Sequence, residues 1–142
     1  MKTHIPITNI MTSQVLTVEK DTPLTEVESI MKRKHIRHLP VVEGADVVGI
    51  ISLTDLQRLS YTASFADEER EDSDDDVAIL NILSLDQVMV SKPFTIQKTA
   101  TVGDAAEILI RMDFHALPVL DGTELIGIVT STDLLKYFTG KF

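Results

Sequence analysis

The sequence predicts an α/β protein built from two β-α-β-β-α repeats, packed through their sheets with pseudo-twofold symmetry. Three observations predict it: the chain aligns with itself, each copy carries an amphipathic helix before two strand-length apolar runs, and a strand-to-helix turn motif recurs. Shifted by 78 residues, positions 10–59 align with 88–137 without a gap, with 15 identities in 50 positions. These include Met11/Met89, Thr17/Thr95, Leu39-Pro40-Val41/Leu117-Pro118-Val119, Gly44/Gly122, Gly49-Ile50/Gly127-Ile128 and Thr54-Asp55-Leu56/Thr132-Asp133-Leu134. Self-similarity at a fixed offset marks two copies of one supersecondary unit. Neither copy alone buries both a sheet face and its helices, so the two are expected to pack together.

Each repeat opens with a short extended piece, residues 15–18 and 93–96. A helix is expected over residues 23–34, with Thr22 as N-cap, Pro23 at the first helical position, and Glu26 and Glu28 near the positive end. Leu24, Val27, Ile30 and Met31 fall on one face of it. In the second copy Thr101 and Asp104 have capping-box spacing, and Val102, Ala105, Leu109 and Met112 form the stripe. Two strands follow at 39–42 and 47–52, joined by the turn Glu43-Gly44-Ala45-Asp46. A last helix begins near Ser52 and Asp55, so the small sheet is mixed.

The organisation is therefore residues 1–66 as the first repeat, 67–84 as an acidic and apolar linker, and 85–142 as the second repeat. Residues 60–66 finish a helix. Residues 67–76 hold eight acids and one base, and read as a solvated excursion. The apolar run at 77–83 must be buried, on its own core or against a second subunit.

Net charge is −9, but seven of those negative charges lie in residues 67–76. An acidic chain is a poor nucleic-acid binder, because phosphate backbones need a basic stripe. The body of the chain can still offer a small anion a basic site. Cysteine is absent, which excludes a disulfide framework, a thiolate metal site and a Cys nucleophile. No apolar run approaches the roughly 20 residues of a membrane helix, and Met1-Lys2-Thr3-His4-Ile5-Pro6 lacks a signal-peptide core. A cytoplasmic location, away from membranes, is expected.

Gly49-Ile50-Ile51-Ser52-Leu53-Thr54-Asp55-Leu56 recurs as Gly127-Ile128-Val129-Thr130-Ser131-Thr132-Asp133-Leu134. One reading is structural: Ser52 or Thr130 caps the helix and Asp55 or Asp133 occupies the third position. The other is functional. A helix start offers free N–H groups and partial positive charge to a phosphate, Ser52 and Thr54 add hydroxyls, and the Asp accepts from two vicinal hydroxyls. Phosphate donors beside a diol acceptor describe a ribonucleotide.

Lys32-Arg33-Lys34-His35-Ile36-Arg37-His38 concentrates basic groups in an acidic protein. Lys32, Arg33 and Lys34 complement a helix C-terminus. Arg37 and His38 stand at the mouth of the 39–42 strand, on the edge where the Ile50–Ser52 segment, expected to run parallel, would end. They are candidate phosphate ligands, Arg supplying a planar fork. The second copy has His115 and Ala116 there, making its site less basic; His115 reads equally as a packing residue or a ligand.

The paired patterns Ile-Met-x-x-x-x-x-Thr-Val, Leu-Pro-Val-Val and Gly-Ile-Ile-Ser-x-Thr-Asp-Leu resemble the tandem cystathionine-beta-synthase (CBS) domain pair, or Bateman module, over roughly residues 7–61 and 85–139. The resemblance implies two clefts between the repeats that take AMP, ADP or ATP, sometimes S-adenosylmethionine, and a disc-like homodimer of two pairs. It implies one site of Arg37, His38, Ser52, Thr54 and Asp55. It implies another of His115, Thr130, Thr132 and Asp133, with Thr22 reaching in from the first repeat. Adenine would lie against Ile36, Pro40 and Ile50, or Phe114, Pro118 and Ile128.

No catalytic residues, catalytic cofactor or metal site are expected, since no phosphate loop, ligand spacing or base-flanked nucleophile is present. The expected function is a non-catalytic module that binds an adenine nucleotide and signals energy state to an unidentified effector protein in trans. The alternative is a Mg²⁺-responsive or protein-interaction module acting through the acidic linker, or an S-adenosylmethionine binder.

Overall fold

The computed structural model describes residues 3–66 and 79–141, and the side chains of 60–66 are outside that description. The acidic run at 67–76 and the first two residues of the apolar run lie outside the described residues. The chain divides into two compact units. One spans Leu16–Lys92; the other joins Met1–Val15 to Pro93–Phe142. They are called the first and second units below, after the repeat each mostly contains.

In the first unit, β1 (Val18–Glu19) leads to α1 (Leu24–Lys34), then β2 (His38–Glu43), β3 (Asp46–Ser52) and α2 (Leu53–Ala66). A short α3 (Leu85–Val88) and β4 (Val90–Ser91) complete it. The sheet order is β1-β2-β3-β4, with β1 parallel to β2 and the other pairs antiparallel. The second unit repeats the path with β5 (Ile96–Gln97), α4 (Val102–Arg111), β6 (Ala116–Asp121), β7 (Glu124–Thr130) and α5 (Ser131–Phe138). Its sheet is β5-β6-β7, again parallel then antiparallel.

The α/β class and the mixed sheet are as the sequence predicts; three local details differ. Helix α1 starts at Leu24, because Pro23 has ψ 141 and stays extended as the N-cap without a side-chain bond. Thr22 is therefore no cap; its N–H donates to the Glu19 carbonyl in the preceding turn. Met112 leaves the core stripe, since α4 stops at Arg111 and Met112 is extended and 43% exposed. The strand ending at Ser52 runs antiparallel to β2, not parallel, because a two-residue turn at Gly44 and Ala45 cannot make a crossover. Gly44 takes φ +64, a left-handed value that costs glycine little, and Gly122 repeats it at +63.

Each unit has its own core. Leu24, Val27, Met31, Leu39, Val41, Ile51 and Leu56 pack in the first, with Leu80 added from the apolar run. Residues 79–82 of that run are helical, and Ile79 and Leu83 pack on the same cluster. In the second, Val102, Ala105, Leu117, Val119, Val129 and Leu134 pack with Ile7 and Ile10. The last two come from the opening segment of the chain. Ile7 N–H donates to the Ala100 carbonyl, Thr12 and Ile128 exchange backbone bonds, and Met11 sits over Gly127. Correspondingly, β4 pairs with Gly49 and Ile50, and Met89 sits over Gly49. In both cases the sulfur occupies space that a Cβ on the glycine would need. The segment that opens each repeat thus reaches the other repeat's sheet, as a strand in the first and as a single bridge at Thr12 in the second.

Candidate functional site

The antiparallel register places the start of β2 beside the end of β3, His38 opposite Ser52, and likewise Ala116 opposite Thr130. Just beyond, the chain turns into α2 and α5. Ser52 N–H donates to Asp55 Oδ2 at 3.1 Å, and Asp55 N–H donates to Ser52 Oγ at 3.0 Å. Thr130 N–H donates to Asp133 Oδ2 at 2.9 Å, and Asp133 N–H to Thr130 Oγ1 at 3.2 Å. Both turns are reciprocal capping boxes.

A third backbone donor is also used. Leu53 N–H donates to the Arg37 carbonyl at 2.8 Å, and Ser131 N–H to the His115 carbonyl at 2.9 Å. The Ser131 hydroxyl reaches the same carbonyl at 3.4 Å. A helix start has few orphan donors, and here the Thr54 and Thr132 amides are the ones left without a bond among the described residues. The Thr54 and Thr132 hydroxyls are exposed and unbonded as well, and each Asp keeps Oδ1 outside the capping bonds. Each turn therefore presents one amide, one hydroxyl and one carboxylate oxygen. A multi-amide phosphate cradle does not exist here, so any phosphate would depend on side chains.

Those side chains differ between the units. Arg37 is exposed and makes no ion pair among the described residues, while its carbonyl holds the helix start. His38 is half-buried. In the second unit His115 is exposed, Ala116 is buried, and Asp133 is only 9% exposed. Thr22 is half-buried in the turn after β1. Pro40 and Ile50 form a buried cross-strand pair, as do Pro118 and Ile128. These four lie on the sheet face opposite the core residues Leu39 and Ile51, or Leu117 and Val129, because side chains alternate along a strand. Ile36 and Phe114 are half-buried at the strand entries, Ile36 against the first core.

The sequence reading missed two things. It assigned Arg37 a side-chain role only, although its carbonyl anchors α2. It also did not see that Met11 and Met89 serve the opposite repeats, though their identity, with that of Gly49 and Gly127, was the available signal.

The CBS domain family model matches residues 7–61 and 85–140. The chain belongs to the CBS domain family. It is 32% identical to a CBS domain-containing protein of Dictyostelium discoideum over 131 residues, covering 91% of this chain and 88% of the relative. It is also 26% identical to an A-adding tRNA nucleotidyltransferase of Geobacter sulfurreducens over 93% of this chain. The chain spans 13% of that enzyme and 41% of another relative, the Methanocaldococcus jannaschii protein MJ1232.

Among solved structures, the CBS domain of a CBS domain-containing membrane protein from Sphaerobacter thermophilus superimposes with a TM-score of 0.76 at 32% identity, covering 94% of this chain and 87% of that one. Two more distant CBS structures share the fold. The MJ0100 pair, with 5'-methylthioadenosine and S-adenosyl-L-methionine, has TM-score 0.75 at 22% identity, covering 96% and 98%. CBSX2 with AMP has TM-score 0.73 at 21% identity, with the same coverage. No helix among the described residues is long and apolar enough to cross a membrane.

Proposed function

We propose that this chain is a non-catalytic regulatory module that binds an adenine nucleotide, AMP, ADP or ATP, at the strand-to-helix turns, and acts as a cytoplasmic homodimer that signals to an effector in trans. The observation that carries the reading is the pair of equivalent turns. Each carries a complete capping box, yet each retains an unused amide, an unused hydroxyl and an unused carboxylate oxygen. Capping alone needs none of the three.

In the first unit, Asp55 Oδ1 accepts from the ribose diol, the Thr54 amide and hydroxyl donate to phosphate with the Ser52 turn behind them, and Arg37 with His38 neutralises its charge. Ile36, Pro40 and Ile50 flank the base. In the second, Asp133, Thr132, Thr130 and His115 play the matching parts, with Phe114, Pro118 and Ile128 for the base. The second site lacks the Arg, so it binds phosphorylated ligands more weakly. The AMP complex of CBSX2 and the S-adenosylmethionine complex of MJ0100 support an adenosine ligand and leave two classes to separate: phosphorylated, or sulfonium-bearing.

Thermal unfolding against AMP, ADP, ATP and S-adenosylmethionine tests this. A ligand at about 100 times its Kd adds about 2.7 kcal/mol, several degrees for a domain of this size. Asp55→Asn keeps an oxygen for the cap and weakens diol recognition, so it should lose most of the shift. Arg37→Ala keeps the carbonyl that holds α2, so it should cut the shift to about half, with nucleotides alone. If S-adenosylmethionine shifts the protein and no nucleotide does, the phosphate assignment fails. If no compound shifts a protein purified free of nucleotide, the turns are caps and nothing more.

A further inference from the structure

The turns at Ser52–Asp55 and Thr130–Asp133 share a backbone and differ in the charge around them. With histidines neutral, residues 32–38 carry four positive charges, and residues 110–116 carry one of each sign. The 78-residue offset sets the exposed Ile110 and Met112 where the first repeat has Lys32 and Lys34, and Asp113 where it has His35. Arg111 matches Arg33, but it is tied to Glu107 at 3.3 Å, whereas Arg33 has no ion pair among the described residues. Arg37, also exposed and unpaired among them, has His115 as its counterpart.

Asp113 is the residue that reverses the local field. It is exposed, and its carboxylate makes no hydrogen bond or ion pair among the described residues. It lies two residues before His115, whose carbonyl accepts from the Ser131 amide at 2.9 Å. Two residues of chain span at most about 7 Å. That is close to the Debye length of about 8 Å at physiological ionic strength, so the Asp113 charge still acts where His115 would meet a phosphate. The same turn holds Asp133, with Oδ1 outside its capping bonds. A phosphate there faces two carboxylates, while a ribose diol finds the same acceptor as in the first unit. We infer that Asp113 sorts ligands by charge: the second turn takes an adenosine compound without phosphate, and the first takes a phosphorylated one. Asp113 acts on the ligand through space, as a specificity-determining residue. The inference rests on the adenosine-site reading above and gives its two sites different ligand classes.

Isothermal titration of the full chain with adenosine, AMP, ADP and ATP, without divalent cations, tests it. Arg37→Ala with Asp55→Asn silences the first turn so that the second is read alone, and circular dichroism checks that each variant is folded. On that background affinity should fall with each added phosphate, about tenfold from adenosine to ATP. Adding Asp113→Asn should tighten ATP roughly fivefold, the scale of one partly screened charge acting on a polyphosphate, and leave adenosine unchanged. Raising the salt from roughly 0.05 M to about 1 M should erase that gain, since the Debye length falls to about 3 Å. A side chain that only packs would change adenosine and ATP alike and ignore salt, and that result would overturn the inference. So would ATP binding the background variant as tightly as adenosine does, or that variant binding none of the compounds that the wild-type chain binds. If none of the four binds the wild-type chain, the adenosine-site reading itself falls, and this inference with it.

Discussion

The two units follow the same path and diverge in chemistry. Both pair a parallel strand with an antiparallel hairpin, both shift register at the same step, after Val41 and after Val119, and both open the helix after the hairpin with a reciprocal box. Yet the first surrounds its box with Arg37 and His38 and ends its first helix in cations, while the second has His115 and Ala116 and an apolar helix edge. The shared positions are those where volume or backbone geometry leaves little choice: Leu39 and Leu117 at 0% exposure, and the glycines under the two Met sulfurs. Apart from the half-buried His38 and its buried counterpart Ala116, these divergent positions are exposed, where packing sets no limit and ligand or partner can. Duplication preserved a scaffold while leaving its surfaces free to specialise.

The largest expected effects ask whether the scaffold halves are equivalent. Leu39→Ala and Leu117→Ala each remove a fully buried side chain from one core and should each cost about 2–5 kcal/mol. Denaturant titration followed by calorimetry would show it. A cost confined to one of the two would break the equivalence of the cores.

Next comes the glycine–methionine contact. Gly49→Ala puts a Cβ against the Met89 sulfur and Gly127→Ala one against Met11. Each should cost about 1–3 kcal/mol by overpacking. Combining Gly49→Ala with Met89→Ala should recover part of the loss, as Gly127→Ala with Met11→Ala should. Absence of recovery in a double-mutant cycle would show that the glycine serves the backbone and not the sulfur.

Smaller, and specific to the divergent layer, Arg37→Ala should weaken nucleotide binding about tenfold, the order expected of a charge-assisted contact, with stability unchanged. His115→Ala should weaken it by much less. Isothermal titration on both variants would measure this, and equal losses would mean that the two sites are alike. The smallest effect is the cap: Ser52→Ala and Thr130→Ala should each cost about 1 kcal/mol. A much smaller cost for either would show that its box is redundant with the Arg37 or His115 carbonyl.

Much of the site was legible because its signals are local. A capping box is spaced by three residues whatever the fold, and Ser52/Asp55 and Thr130/Asp133 form as the spacing predicts. Pro23 suits either the cap or the first turn, so the start of α1 rests on its ψ value, which spacing does not reveal. Periodicity puts Met112 on the core stripe because it does not say where a helix stops. A parallel direction for Ile50–Ser52 conflicts with the two-residue turn before that strand, whose length argues for the hairpin that the structure contains.

By itself the sequence determined the duplication, the α/β class, the order of elements and both capped turns, since each depends on residues near one another or on a repeat that can be counted. Only the tertiary structure decided that residues 7–12 pack on the second core with Thr12 bridging Ile128, that Val90 and Ser91 add a strand to the first sheet, and that three backbone donors at each helix start are already satisfied. It also showed that the second unit leaves an apolar helix edge exposed. Such facts depend on contacts between residues as far apart as Met11 and Gly127. A backbone amide's availability or a side chain's exposure is a property of everything packed around it, which no short stretch of sequence records.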